Sequence, residues 1–289
     1  MPRKLTCAVE PLLPVELGQG KIKFAQGMKA DRWVFATGLM AQDFINGIAP
    51  DVLSERAPHS GLPKREKEAL RIFANLDAVL HAAGIDCTSL VRTDQYYTTV
   101  KAVPPYQQVR REFLRGRIPP STSIAQQGLL LPGADMNIQA VAAIPKRGFE
   151  VEHLSHAQLK GRPTSGYSPA LTVGDFIFIP GITSLAIGDE PRRNGVATAA
   201  LMTEGAQWGG QPIKLEAEFI ITKRMVASLA LAGARLEWST RKSISQTART
   251  IRPLTKPGRD ISARPARACR SFRASSMDSR PMMARSKST

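Results

Sequence analysis

The sequence predicts an α+β chain of two tandem domains, each a mixed sheet with two helices on one face, the second domain incomplete. The main observation is that apolar residues recur at helical spacing from Glu66 to Ala83. Gly84 ends this predicted helix, and a predicted strand follows it. A weaker copy of this order starts near Leu215 and ends at Gly233. The first helix has apolar residues three and four positions apart, at Leu70, Phe73, Leu76, Val79, Leu80 and Ala83.

The elements before and after this helix complete one domain. Apolar and polar residues alternate at Phe24–Met28 and Trp33–Ala36, which predicts a β-hairpin. Residues 43–63 are a predicted loop. After the helix we expect a strand at Arg92–Val100 and a second helix at Pro104–Leu114. Two further strands, one in residues 117–128 and one after Gly133-Ala134-Asp135, close the order β-β-α-β-α-β-β.

Length and composition favour folded, non-membrane domains. The 289 residues are 43% hydrophobic, which is enough for two domains that each bury a core. The best apolar run, ALTVGDFIFIPGI, is too short for a membrane span and contains Asp175. The N-terminal stretch MPRKLTCAVEPLLP lacks the continuous apolar segment of a secretory signal. We therefore expect a cytoplasmic protein with no membrane partner.

The positive charge is concentrated near the C-terminus. The formal net charge is +16, and residues 241–289 contain 13 Arg and Lys against two Asp. The first 240 residues therefore carry only +5. Residues 238–289 show neither helical nor strand periodicity and few aromatic residues, so we expect a disordered tail and no nucleic-acid partner.

Six short segments carry a resemblance to a known family. They are Phe24-Ala25-Gln26, Val34-Phe35-Ala36-Thr37-Gly38, Ala82-Ala83-Gly84, Tyr106–Phe113, Ile118-Pro119-Pro120 and Ile138-Gln139-Ala140-Val141-Ala142. Their order and spacing resemble those of the Rid family, also called the YjgF family, of enamine and imine deaminases. The resemblance implies a chorismate-mutase-like fold, and it divides the chain into an N-terminal segment (1–17), a first Rid-like domain (18–146), a linker (147–165), a partial second domain (166–237) and a basic tail (238–289).

The resemblance in the second domain ends where its central strand should begin. Tyr167 lies fourteen residues before Gly181, as Phe24 does before Gly38, but the resemblance stops at Glu237. Back-translation of residues 238–289 with a shift of two bases permits the missing strand, helix and closing hairpin. We therefore hypothesise that the tail is a frameshift product, from a lesion in the gene or a sequencing error, and resequencing would test this by the presence or absence of a compensating single-base change.

The resemblance also implies ligand sites in clefts between neighbouring domains. In the family an arginine pairs with the substrate carboxylate, and a glutamate and backbone groups near a strand-end glycine position the water. The corresponding positions of this chain are Ser121 (arginine), Gln139 (glutamate), Phe24 (tyrosine), and Thr37 with Gly38 (strand end) in the first domain, and Tyr167 and Gly181 in the second. Because serine cannot form a charged fork, the first domain is predicted to lack this carboxylate anchor.

Other polar residues are weaker candidates. Arg110, Arg111 and Lys101 are expected to be solvated, although any one reaching the cleft would restore a cation there. His153 and His156 lie three residues apart with no evident third ligand, so no metal site is predicted. Cys7, Cys87 and Cys269 lie far apart, which argues against a disulfide framework and a structural zinc.

Two classes of function follow from the resemblance. One is a hydrolase of reactive enamine or imine metabolites that uses water and no cofactor. The alternative is a homologue that binds a small molecule without catalysis or has a structural role. In either case the partner is a small-molecule substrate or ligand, and the resemblance implies a homo-oligomer, either a trimer or a pseudo-hexameric ring.

Overall fold

The computed structural model describes most of the first domain and parts of the remainder. The described residues are 8–17, 20, 22–45, 47–53, 61–154, 165–201, 212–237 and 250–253. The predicted tail of residues 238–289 therefore lies outside the described residues except for 250–253, which form a strand. The frameshift hypothesis stays a prediction.

Six strands of the first domain form one mixed sheet. They are β1 (Val9–Leu17), β2 (Ile22–Ala30), β3 (Trp33–Leu39), β4 (Leu90–Tyr97), β5 (Ser121–Ala125) and β6 (Met136–Ala143). Their spatial order is β1-β2-β3-β6-β4-β5. Only β4 and β5 run parallel, and the other neighbours are antiparallel.

The helices of this domain pack on the sheet and enclose the core with it. They are α1 (Pro50–Leu53), α2 (Lys64–Ala82) and α3 (Val103–Phe113), with single 3-10 turns at Cys87–Ser89 and Val100–Ala102. The core contains Phe73 and Leu76 of α2, Tyr106 of α3 and Ile138 of β6. The α+β class, with a mixed sheet and helices on it, is confirmed.

Helix α2 matches the predicted helix closely, with one difference in its buried face. It ends just before Gly84, whose φ of +75° is the left-handed conformation expected at a helix end. Leu70 was predicted on the apolar face, but it is 42% exposed. Ala69 and Ile72 are fully buried instead. The apolar face is therefore rotated slightly from the one that the leucine spacing suggested.

Strand β1 was not predicted. It pairs antiparallel with β2 and forms one edge of the sheet, although Pro11 and Pro14 lie within it. Proline is tolerated in an edge strand because one side of the strand needs no backbone donor. The folded domain therefore begins before residue 18, inside the predicted N-terminal segment.

The second half contains a small sheet, two ribbons and a broken helix. The sheet is β7 (Glu152–Leu154), β8 (Ala170–Val173) and β9 (Phe176–Phe178), and the ribbons pair β10 (Arg192–Arg193) with β11 (Val196–Ala197) and β12 (Ala234–Glu237) with β13 (Thr250–Pro253). The helix comprises α4 (Pro212–Phe219), a π-helical segment (Ile220–Met225) and α5 (Val226–Leu231), after a 3-10 turn at Thr198–Ala200.

These elements repeat part of the order of the first domain. The β8–β9 hairpin is followed by a helix that ends before Gly233, whose φ is +68°. Strand β7 lies within the predicted linker of residues 147–165. The tandem-domain organisation stays a prediction. Within the described part of the chain, no helix is long and apolar enough to cross a membrane.

Candidate functional site

A cleft of about 880 Å³ separates the β5 edge of the first domain from the segment that follows β7. One wall comes from β4, α3 and β5, and the other comes from residues 165–195 and part of the broken helix. Its lining includes Gln95, Arg110, Ser121, Thr122, Ser123, Ser165, Tyr167, Gly181 and Arg224.

Backbone hydrogen bonds hold the two walls together at the base of the cleft. The amide of Gly181 donates to the carbonyl oxygen of Ser121 at 3.2 Å, and the amide of Ser168 donates to that of Ile118 at 2.9 Å. A Cβ atom at Gly181 would lie 2.6 Å from Cγ2 of Thr122. The close approach of these two segments therefore requires a glycine at position 181.

Arg110 places a positive charge inside this cleft. Its side chain is only 1% exposed. Nη1 donates to Oγ of Ser121 at 3.2 Å, and Nη2 donates to the carbonyl oxygen of Ser165 at 2.7 Å. The guanidinium carbon lies 5.6 Å from the centre of the Tyr106 ring. The expectation that Arg110 is solvated is wrong. Its guanidinium group lies beside Ser121, the position at which the family's arginine is absent from this chain.

Neutral polar groups connect the lining of the cleft to the core of the first domain. Nε2 of Gln95 donates to Oγ of Ser123 at 2.8 Å, and the hydroxyl of Tyr106 donates to Oε1 of Gln95 at 3.5 Å. Burial raises the pKa of Tyr106, so its hydroxyl stays protonated and keeps its hydrogen bond to Gln95. These groups can hold a small polar ligand in one orientation.

The opposite wall carries a second arginine, which is already paired. Nη1 of Arg224 donates to Oε1 of Glu190 at 2.8 Å, and a second hydrogen bond joins the same two side chains. This contact lowers the pKa of Glu190 below its ordinary value. The charge of Arg224 is therefore balanced by Glu190, whereas no acidic residue in the described part of the chain forms an ion pair with Arg110.

The structure brings three of the seven predicted site residues together. Ser121, Tyr167 and Gly181 all line the cleft. The other four lie outside its lining: Phe24, Thr37, Gly38 and Gln139. Phe24 packs against Phe44 with ring centres 5.5 Å apart. Gly38 has a φ of +60°, and a Cβ atom there would lie no closer than 3.8 Å to its neighbour, Nδ2 of Asn137, whereas a Cβ atom at Gly181 would overlap Thr122. The two glycines that match in sequence therefore have different surroundings.

The remaining candidates lie elsewhere. Lys101 lines a separate depression of about 350 Å³ near the start of α2, and Arg111 is exposed and donates to the carbonyl oxygen of Gln107. Nδ1 of His153 lies 2.7 Å from Oγ of Ser168, and burial lowers the pKa of this histidine. His156 lies outside the described residues, among which no group of three potential metal ligands occurs.

Helical spacing could have identified Arg110 from the sequence. It lies four residues after Tyr106 and one after Val109, and all three side chains are buried. That spacing places Arg110 on the same face of α3 as the apolar residues. Gln95 gave no comparable signal, because a glutamine within a strand is ordinarily a surface residue.

Comparison with known proteins gives one family and several structures. The profile of the family described as endoribonuclease L-PSP matches residues 19–144. A search of curated proteins found no match.

Three solved structures illustrate the structural similarity. A protein of unknown function of the conserved Rid family from Yersinia pestis is 20% identical, with a TM-score of 0.36, and the match covers 47% of this chain and 100% of that one. A protein of unknown function from Pseudomonas aeruginosa is 21% identical, with a TM-score of 0.39 and coverages of 48% and 94%. Yeast Mmf1 is 16% identical, with a TM-score of 0.36 and coverages of 47% and 99%.

Proposed function

Because residues 19–144 belong to the Rid, or endoribonuclease L-PSP, family, we propose that this chain hydrolyses a reactive enamine or imine in the cleft beside β5. The observation that carries the proposal is the meeting of Ser121, Tyr167 and Gly181 in one cleft. These three positions were selected from the sequence alone, and two of them lie more than forty residues from the third.

The proposed reaction needs only water and orientation. An enamine first takes its imine form, and water then adds to the carbon of the C=N bond. Loss of ammonia from the resulting carbinolamine leaves a carbonyl compound. The side chains of Gln95, Ser121 and Ser123 offer hydrogen bonds that can hold the imine and the water in line, and such positioning lowers the barrier without a cofactor.

The second candidate is a protein that binds the same kind of ligand without catalysis. Its support is the absence of Asp and Glu among the described residues that line the cleft. Hydrolysis of an imine usually gains from a carboxylate that accepts a proton from water. Gln139, at the position of the family's glutamate, is exposed and outside the lining.

Ammonia release from 2-aminoacrylate, generated in the assay, tests the hydrolase proposal. We expect the full chain to release ammonia faster than buffer does. Ser123→Leu should remove most of this gain, because the larger side chain occupies the cleft at an exposed position that tolerates it.

Gln139→Ala is the matched control, since Gln139 is also exposed on a strand but lies outside the cleft. It should retain the wild-type rate. A wild-type rate equal to that of buffer would remove the hydrolase proposal for this substrate class. Loss of activity in Gln139→Ala but not in Ser123→Leu would place the site elsewhere.

A further inference from the structure

The loop that follows β9 is a longer version of the loop that follows β3. Each loop is closed by an isolated antiparallel bridge, which joins Gln42 to Ile48 in the first loop and Leu185 to Val196 in the second. In each loop the amide of the residue after the first bridge residue donates to the carbonyl oxygen of the residue before the second, at 3.3 Å and 3.0 Å. Between these bonded pairs the first loop has three residues, and the second has the eight residues 187–194. The loop after β9 therefore contains an insertion.

A side chain of the following helix holds each loop, and the two side chains differ. Nδ2 of Asn75 and Nη2 of Arg224 each donate to the carbonyl oxygen of the first bridge residue of their loop, both at 3.2 Å. Each lies nine residues before the glycine that follows its helix. Arg224 has the longer side chain, and its Nη1 also donates to Oε1 of Glu190 at 2.8 Å. Because Oε2 of Glu190 accepts a hydrogen bond from the amide of Ile187 at 2.9 Å, this ion pair fixes the inserted part of the loop.

The longer loop extends the cleft beside β5 with an apolar wall. Ile187 and Gly188, from the inserted part, line the cleft. Ile182, Leu185 and Ala186 belong to the same wall, and their side chains are half-buried, as is that of Ile187. The cleft of about 880 Å³ lies within the range of roughly 300–1,000 Å³ that holds drug-sized ligands. A three-carbon imine would therefore fill only part of it.

We propose that residues 187–194 form a subsite for an apolar substituent of the ligand, and that Ile187 determines the specificity of the cleft for ligands that carry one. The polar end of the ligand lies beside Ser121, and the substituent extends along the apolar wall to Ile187. Apolar atoms that leave water at this wall raise the affinity in proportion to the area buried. Glu190 and Arg224 are positioning residues that hold the wall. This inference specifies the substituent of the ligand proposed above and rests on that site.

A purely structural role for the longer loop makes a different prediction. In that case, loss of the Ile187 side chain or of the ion pair would loosen one wall of the cleft and weaken short and long ligands alike. Loss of an apolar subsite weakens only those ligands that are long enough to reach it. The dependence of affinity on the length of the ligand therefore separates the two roles.

Binding of straight-chain primary amides to the full chain, from acetamide to hexanamide, measures this dependence. These amides are neutral and stable, and their polar end can exchange hydrogen bonds with Gln95 and Ser123 in the lining. Ligand-observed NMR at millimolar concentrations gives their affinities. We expect the affinity of the wild type to rise about fourfold for each methylene group that reaches the wall, as burial of a CH₂ group implies. Hexanamide should therefore bind at least about tenfold more tightly than acetamide.

Three variants and one control assign this gain to the loop. Ile187→Ser should lower the ratio of the hexanamide affinity to the acetamide affinity several-fold and leave the acetamide affinity unchanged. Ile213→Ser is the matched control, because Ile213 is 74% exposed on α4 and lies outside the lining, and it should keep the wild-type ratio. Glu190→Ala should lower the ratio because it releases Ile187, whereas Glu190→Gln keeps one acceptor oxygen and should retain part of it. The thermal midpoint shows which variants are folded, and Glu190→Ala provides the comparison if Ile187→Ser is not.

Three outcomes would overturn the proposal. They are no detectable binding of hexanamide by the wild type, equal affinity of the wild type for hexanamide and acetamide, and the same ratio in Ile187→Ser as in Ile213→Ser. Failure of the hydrolase proposal is distinguishable. A chain that prefers long amides through Ile187 but releases no ammonia is a binding protein with this subsite, whereas a chain that releases ammonia without this preference is a hydrolase that lacks it.

Discussion

At the scale of single residues, the contact between Gly181 and Thr122 determines whether the cleft can form. The two segments approach so closely that a methyl group at position 181 would overlap the threonine side chain. Thr122 is fixed by its strand and also accepts a hydrogen bond from Nη2 of Arg92 at 3.3 Å. The contact between the two walls of the cleft therefore depends on the absence of a side chain at position 181.

Gly181→Ala should destabilise the chain and open the cleft. We expect a loss of about 1–3 kcal/mol in the free energy of unfolding, the usual cost of an added methyl group in a packed contact. Gly128→Ala is the control, because Gly128 has open space around it and no positive φ. Thr122→Ala in the Gly181→Ala background should recover part of the loss, and a double-mutant cycle by thermal or urea unfolding measures this coupling. Strictly additive effects would contradict the proposed contact.

At the scale of elements, the spacing of apolar residues predicted the main helices and the hairpin but missed the edge strand. Helix α2, helix α3 and the β2–β3 hairpin were predicted because each buries one face, and burial imposes a regular spacing of apolar residues. Strand β1 was missed because Pro11 and Pro14 interrupt its alternation, which only an edge position tolerates.

The site was harder to predict than the elements. Alternation along β5 and β6 assigns each residue to a face of the sheet, but it does not say which distant segment covers that face. Ser121 and Gln139 were therefore equal candidates from the sequence, whereas only Ser121 meets residues 165–195. Arg110 was expected to be solvated because it is charged, although its spacing from Tyr106 and Val109 places it on the buried face of α3.

A buried carboxylate connects two elements of the first domain. Glu68 of α2 is fully buried, and its Oε1 accepts hydrogen bonds from the amides of Asp135 and Met136, at 2.7 and 2.9 Å, where β6 begins. Burial raises the pKa of Glu68, and this effect exceeds the opposing effect of the two amides. Oε2 has no hydrogen-bond partner among the described residues.

The raised pKa of Glu68 predicts a pH-dependent contribution to stability. The folded chain binds the proton of Glu68 more tightly than the unfolded chain does, so this contribution is fully present below the unfolded pKa. It is lost as the pH rises through the folded pKa. The free energy of unfolding of the wild type, relative to that of Glu68→Gln, should therefore fall from acidic towards neutral pH. Urea unfolding of both proteins across this range measures the difference, and a constant or rising difference would contradict the prediction.

At the scale of the whole molecule, the second half packs against the open face of the first sheet. Trp33 contacts Phe149, Phe176 and Phe178 at ring-centre distances of 5.3, 5.1 and 5.7 Å. A small core of Val91, Ala143, Leu171 and Val173 lies beside it. This packing covers only part of that face and leaves apolar side chains of the neighbouring strands exposed.

The uncovered part of the sheet supports the prediction of a homo-oligomer. Phe35 and Ile124 lie on this face and are 39% and 40% exposed, although both belong to regular strands. An apolar sheet face is stabilised when a second copy covers it. We therefore expect size-exclusion chromatography with light scattering to give a mass above that of one chain, with a trimer or a pseudo-hexameric ring as the specific expectation. Phe35→Ser should shift the protein towards monomer, whereas Leu70→Ser, at a similarly exposed position on α2, should not. A monomeric wild type, or equal dissociation by the two substitutions, would show that this face is not the interface.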